Sequence, residues 1–274
     1  MNFQDQAKKH MQDYKAKLGA AVEGTWRGKA YAHILVKNEY KLNLLGPYRD
    51  SFFANKYVKE INFHDGFTHL NSSQAMCINY FYPMIKEREL DCFANFLGFE
   101  NGEIIYESAC FEKPSDIERL QPGIKGGNRK TNFDFYFEFA KGRETIKIYV
   151  EAKYSETDFG SAKQDSSHSQ KYDYTYKPMI ESSGIKPISK QSFLANYQIM
   201  RNLVHIDEQR YVVLLYPKKN KNIAEKVKNV KDFLKPEYVN HLHLVTLEEA
   251  VKLPEKSVLY DYYCSDFYEK YLDF

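Results

Sequence analysis

The chain has 274 residues, enough for one large domain or two small ones and for a sizeable core. Hydrophobic residues make up 43% and charged residues 28%, ordinary globular values, and a net charge of +2 leaves any nucleic-acid-facing basic surface local rather than global. No apolar run approaches the ~18 residues of a membrane span, the N-terminus has no secretory-type apolar stretch, and Cys77, Cys92, Cys110 and Cys264 form no CxxC pair or zinc site, so the expectation is a cytoplasmic protein with reduced thiols.

In chain order, residues 3–18 read as a polar helix, and 19–68 as irregular and aromatic without an assignable element. A helix opens near His69, with Ser72 or Ser73 as its N-cap, and carries Ala75, Met76, Ile78, Tyr80 and Phe81; Pro83 is expected to end or kink it. Residues 87–98 form a short helix stopped near Gly98, and 104–111 a strand. Residues 114–129 form a loop containing Pro122-Gly-Ile-Lys-Gly-Gly127, which lacks the Walker spacing of a nucleotide loop. After a hairpin over 132–153, residues 154–190 make a long polar connection. A connection this long suits a substrate-contacting flap, a disordered insertion or hidden short helices. Residues 191–204 form one amphipathic helix, 211–216 a buried strand, 218–234 a basic helix, 242–245 a strand, 247–251 a helix and 258–272 a Tyr-rich helix. The order suggests an α/β fold, a mixed sheet flanked by helices. With no repeats and no clear linker we read residues 1–274 as one domain, with an N-terminal elaboration (1–103), a central core (104–216) and a C-terminal completion of sheet and helices (217–274).

The hairpin carries the chemistry. In Asn132-Phe-Asp-Phe-Tyr-Phe-Glu-Phe139, alternation puts Phe133, Phe135, Phe137 and Phe139 on one face and Asp134, Tyr136 and Glu138 on the other. In Ile146-Lys-Ile-Tyr-Val-Glu-Ala-Lys153 the apolar positions are Ile146, Ile148, Val150 and Ala152. Pairing Phe139 with Ile146 matches every apolar position and sets Asp134 opposite Glu151; a one-residue slip places Phe against Lys and Tyr. Opposed Cβ atoms lie about 4.5–5.5 Å apart. Two carboxylates at that distance repel unless a cation sits between them, and Mg²⁺, with oxygen ligands at about 2.0–2.1 Å, fits the gap. Lys153 points into the same site. A metal there would polarise a phosphoryl oxygen and acidify a bound water, with Lys153 positioning the water or countering developing charge. The same residues also suit a solvated sheet face carrying Glu–Lys and Asp–Lys pairs.

Asn132-Phe-Asp134 followed by Val150-Glu-Ala-Lys-Tyr-Ser-Glu156 resembles the core of the PD-(D/E)XK, or restriction-endonuclease-like, superfamily, with Phe133 where the motif's Pro stands. Tyr197-Gln-Ile-Met-Arg-Asn202 resembles a Gln-bearing motif downstream of ExK. His69-Leu-Asn-Ser-Ser-Gln74 and Asn79-Tyr-Phe81 are similar to segments of a group of bacterial restriction endonucleases. The likeness covers roughly residues 104–216. It implies Asp134 and Glu151 as metal ligands with the Ala152 carbonyl, Lys153 as the catalytic lysine and Gln198 as an active-site assistant. It implies Mg²⁺, replaceable by Mn²⁺, and DNA as substrate. For the acidic residue such sites often add from upstream, Glu107 is the nearest candidate and Gln74 the alternative.

The remaining signals are weaker. Glu156 and Asp158 suit loop solvation better than a second metal, and His241 and His243 lack a third ligand. Ser166-Ser-His-Ser169 shows no nucleophile arrangement. Lys218 and Lys219 begin a cationic run that suits DNA phosphates or a solvated helix face, and Arg201, sharing a helix with Gln198, is the better phosphate contact. The expectation is therefore a Mg²⁺-dependent DNA endonuclease of restriction or defence type. The rivals are a binding module with an inactive site, a repair or mobile-element nuclease, and a metal-independent hydrolase with paired carboxylates. A homodimer is the simplest arrangement for cutting both strands.

Overall fold

The computed structural model describes residues 1–55, 58, 61–119, 123, 129–162, 165–252 and 256–274. Apart from Gly123, the Pro122–Gly127 segment lies outside them. Seven strands are present among the described residues: β1 (Gly24–Trp26), β2 (Lys29–Tyr31), β3 (Glu103–Pro114), β4 (Asn132–Lys141), β5 (Glu144–Ala152), β6 (Arg210–Tyr216) and β7 (Leu242–Thr246). The last five form one sheet in the order β3-β4-β5-β6-β7, antiparallel through β5 and parallel from β5 to β7. Parallel neighbours need crossovers, and helices within 166–203 and 221–227 supply them.

The expected hairpin register is the one observed, with Phe139 opposite Ile146, Phe137 opposite Ile148 and Phe135 opposite Val150. The two faces differ from the expectation. Phe135, Phe137 and Phe139 enter one core, but Phe133 crosses to the second, where it packs on Tyr149 and His205. Tyr136 and Tyr149 are buried there too, so the face predicted to hold polar groups is covered over most of its length. A central strand of a sheet with helices on both sides has no solvated face.

The first core draws residues from Phe3 to Leu272, and the second draws mainly on residues between Phe133 and Leu242. Apart from Tyr154, which packs in the first core, the described part of the 154–190 connection belongs to the second. It holds the helices Ser166–Lys171 and Lys177–Glu181, joined by a π-turn, and buries Tyr172, Tyr176 and Ile180. Those two segments are hidden short helices rather than a loose insertion. The single helix expected over 191–204 is two, Lys190–Ala195 and Tyr197–Leu203, broken at Asn196. The basic helix is shorter than expected, Lys221–Val227, followed by a 3₁₀ turn.

Pro83 does not end its helix, which runs Ser73–Lys86 with Ser72 as N-cap. Pro83 has no N–H to give the Asn79 carbonyl, and the Tyr262 hydroxyl donates to that carbonyl instead at 2.7 Å. The Tyr263 hydroxyl donates to the next carbonyl, Tyr80. The segment left unassigned, 19–68, contains the β1–β2 hairpin, a helix at Gly46–Phe53 and 3₁₀ turns at Lys37–Asn43 and Asp65–Thr68. Its strands and turns are too short for a periodic signal.

Candidate active site

The carboxyl end of β5 holds the candidate residues, the position at which open α/β sheets commonly bind ligands. The β4–β5 ladder stops at the Phe135–Val150 pair. One step past it, the Ala152 amide donates to Asp134 Oδ2 at 2.7 Å, so the side chain of Asp134 ties the two strands where the backbone pairing ends. Glu151 and Lys153 point to the side of the second core and are 5% and 8% exposed. Lys153 Nζ lies 2.7 Å from Glu151 Oε1. Gln198, from the helix Tyr197–Leu203, donates to the same oxygen at 3.1 Å. The structure therefore brings Asp134, Glu151, Ala152, Lys153 and Gln198 together.

The electrostatics are those of a carboxylate pair with too little positive charge. Asp134 keeps some surface, but its carboxyl group turns inward; burial and then the charge of Glu151 raise its pKa well above the usual carboxylate value. Burial opposes the charge on Lys153, but Glu151, Glu156 and Asp134 overcome it and push its pKa above the ordinary lysine range.

The upstream acid is not Glu107, which is exposed. Between the pairs Ile105–Glu138 and Cys110–Tyr136, four residues of β3 oppose one of β4, and Glu107 sits in that bulge, away from the site. The acid the structure brings in is Glu112. It lies between Phe111 and Lys113, which pair with Phe135 and Phe133, and so stands opposite Asp134. Its φ of 53° is a left-handed conformation that side-chain-bearing residues rarely adopt, the kind of strain that gathers at functional sites. Gln74, the alternative candidate, is buried and donates to Glu112 Oε1 at 2.6 Å, while His64 Nε2 is 3.5 Å from Oε2. The bond to Glu112 heads the causes that raise the His64 pKa. Glu112 lay just beyond the strand recognisable in the sequence, and the bulge moves it into place without a sequence signal.

The candidate phosphate contacts are placed unequally. Arg201 lies beside the site, its Nε donating to Thr131 Oγ1 at 3.1 Å and its guanidinium over the Tyr197 ring. Thr131 is held by Glu118, and Lys171 Nζ lies 3.9 Å from the same carboxylate. Lys218 and Lys219 follow β6 at the same end of the sheet, where both backbone amides bond Glu248. The Lys219 ammonium is taken by the Phe274 carbonyl. His241 bonds the Asp207 carbonyl and stacks on Tyr211, and Asp158 faces Lys226.

Among the described residues no three His, Cys, Asp or Glu side chains are spaced as a metal shell. The donor set is leaner, two carboxylates and the Ala152 carbonyl, with Glu112 engaged by Gln74 and His64. It is all oxygen, and the raised Asp134 pKa marks a deficit of positive charge beside Glu151. Both fit a hard divalent cation that keeps waters and substrate oxygens in its shell.

One protein family, described as restriction endonuclease associating with ARP, matches residues 4–272. The chain belongs to that family. The match takes in all three segments, so the N-terminal elaboration and the Tyr-rich C-terminal helices are part of what defines this restriction endonuclease family. The five-stranded mixed sheet flanked by helices is a restriction-endonuclease-like fold. No curated protein and no solved structure matches the chain. No helix among the described residues is long and apolar enough to cross a membrane.

Proposed function

We propose that the protein is a divalent-metal-dependent DNA endonuclease of the PD-(D/E)XK type, acting in restriction or defence. The observation that carries this is the convergence of Asp134, Glu151, Lys153 and Gln198 at the end of β5. Asp134, Glu151 and the Ala152 carbonyl would hold Mg²⁺ or Mn²⁺. When bound, such an ion supplies Lewis-acid polarisation of the phosphate and a more acidic water. Lys153 meets the negative charge that builds on the phosphorane oxygens, at a site where little water dilutes the interaction. Gln198 fixes Glu151 by its amide and so holds the carboxylate's orientation. Glu112, steadied by Gln74 and His64, adds negative charge on the other side of Asp134. Arg201 would be the cation for the DNA backbone nearest the reacting phosphate, with Lys218 farther along the same end of the sheet.

The test is cleavage of supercoiled and linear plasmid DNA with Mg²⁺ or Mn²⁺, beside EDTA and Lys153→Ala controls. Metal-dependent cutting lost in the variant is the expected result. Cutting that survives EDTA, or a Lys153→Ala protein as active as wild type, would overturn the reading; DNA binding with no cutting under any condition would mark a binding module.

A further inference from the structure

Beside the catalytic hairpin lies a second feature that the hydrolytic site does not use. A cleft of about 490 Å³ opens between the β1–β2 hairpin and the start of the Ser73–Lys86 helix, and His64, Ser155 and Glu156 join it to the site. Its volume falls in the roughly 300–1,000 Å³ range of ligand pockets. The other walls carry Lys8, Trp26, Tyr31, His33, His69 and Asn71.

This cleft is built rather than incidental. Arg27 and Gly28 both have positive φ, 50° and 79°, which gives the tight primed turn that holds Trp26 opposite Lys29. Gly24 lets the hairpin lie flat on the chain behind it, because a Cβ there would meet the Leu35 carbonyl oxygen at 2.3 Å. The buried Lys15 ammonium donates to the Val22 and Ile34 carbonyls, both at 2.6 Å, and pins the hairpin's base. Trp26 is half-buried, with the His69 ring edge-on at 4.9 Å, and Tyr31 is exposed.

Two buried polar atoms of residues at the wall have no partner among the described residues, Asn71 Oδ1 and His69 Nε2. Asn71 is not free to turn, because its Nδ2 donates to Ser155 Oγ at 2.7 Å, which fixes Oδ1 as an oriented acceptor. Burial lowers the pKa of His69, and that of His33 to about 4, so both rings are neutral near pH 7. A wall of this kind suits a ligand held by stacking and hydrogen bonding, with Lys8 as a nearby cation and Glu156 at the edge towards the candidate site. Heteroaromatic rings with exocyclic donors, attached to a phosphate, satisfy all three features.

We propose that this cleft receives one nucleotide of the DNA substrate beside the scissile phosphate, its base stacked on Trp26 and Tyr31 and its edge bonded by Asn71 and His69. The proposal rests on the nuclease reading for the identity of the substrate. It makes the N-terminal elaboration the part that selects or extrudes a base.

Trp26 is the single tryptophan of the chain, so its fluorescence reports the cleft directly. The full-length protein is titrated with short DNA duplexes and single strands in EDTA, where cleavage is absent, and binding is followed in parallel by anisotropy of labelled DNA. Saturable quenching of Trp26 that tracks the anisotropy is expected, weakened about 10-fold or more in Asn71→Ala. In cleavage, Trp26→Ala should raise KM roughly 10- to 100-fold at similar kcat, the range of one lost stacking contact, and Trp26→Phe should restore most of it. Binding seen by anisotropy without a fluorescence change, or Trp26→Ala with wild-type KM and an unaltered melting temperature, overturns the cleft and leaves the nuclease reading standing. No binding by either signal overturns the cleft, and quenching beside no cleavage in Mg²⁺ or Mn²⁺ keeps the cleft while sinking the hydrolysis.

Discussion

Gln198 reaches from its helix to Glu151 Oε1, the same oxygen that Lys153 meets, and Glu151 Oε2 takes no hydrogen bond from the described residues. Both donors hold one edge of the carboxylate and leave the other edge for a ligand. Removing Gln198 should therefore disturb alignment without removing charge. Gln198→Ala is expected to lower kcat about 10-fold with KM little changed, a misalignment effect. Lys153→Ala should cost about 10³-fold, the scale of a lost electrostatic stabiliser. Steady-state cleavage kinetics of the two variants separate these roles; equal losses would mean Gln198 does more than orient.

Asp134 is destabilising in its charged form, since burial and Glu151 both raise its pKa. An amide in its place can still accept the bond from the Ala152 amide but carries no charge. Asp134→Asn should abolish metal-dependent cleavage and raise the melting temperature in EDTA. A variant that melts lower than wild type would show that the carboxylate pair is not strained.

The same strain predicts a response to metal. Mg²⁺ or Mn²⁺ should stabilise the wild-type protein, by about 2.7 kcal/mol at a hundredfold excess over Kd. Asp134→Asn should lose most of that gain. Thermal melts with and without EDTA provide the readout, independent of any cleavage assay.

His205 is fully buried between the Arg201 carbonyl and Ser115 Oγ, and burial lowers its pKa to about 4. The folded state thus binds its proton less readily than the unfolded chain, whose histidine titrates near 6.5. The stability this ring contributes is complete above about pH 6.5 and declines as pH falls towards 4, by about 3 kcal/mol in all and about 2 kcal/mol by pH 5. His33 and His243, also lowered to about 4, act in the same direction. Urea unfolding at pH 7 and pH 5 should show the drop, and His205→Gln should be less stable at pH 7 but lose less on acidification.

Tyr262→Phe removes the hydroxyl that satisfies the Asn79 carbonyl left open by Pro83. A buried acceptor without a donor costs about 1–3 kcal/mol. That loss should appear in the urea midpoint, with cleavage per folded molecule unchanged.

The hairpin register from Phe139–Ile146 to Phe135–Val150 was legible because strand alternation is local and a slip exposes every Phe at once, whereas the expected Asp134–Glu151 pair lies one step past the end of that ladder. The crossing of Phe133 to the second core was not legible, since it depends on helices elsewhere in the chain covering both sheet faces. Glu112 was missed for a related reason: a bulge in β3 changes which residues oppose β4, and no residue in Tyr106–Ala109 announces it. The aromatic cleft was hidden because its two strands are three residues each, below the length at which periodicity speaks.

The hydroxyls of Tyr262 and Tyr263 reach back 183 residues to close the Asn79 and Tyr80 carbonyls. At roughly 5–20 residues per second of synthesis, the helix that backs the five-stranded sheet waits about ten to forty seconds for the donors that complete it. For the later part of that interval the nascent chain carries the hairpin residues but not the finished support behind them. A fold assembled in this order completes the support of its candidate site only after translation has passed the tyrosines that secure its core.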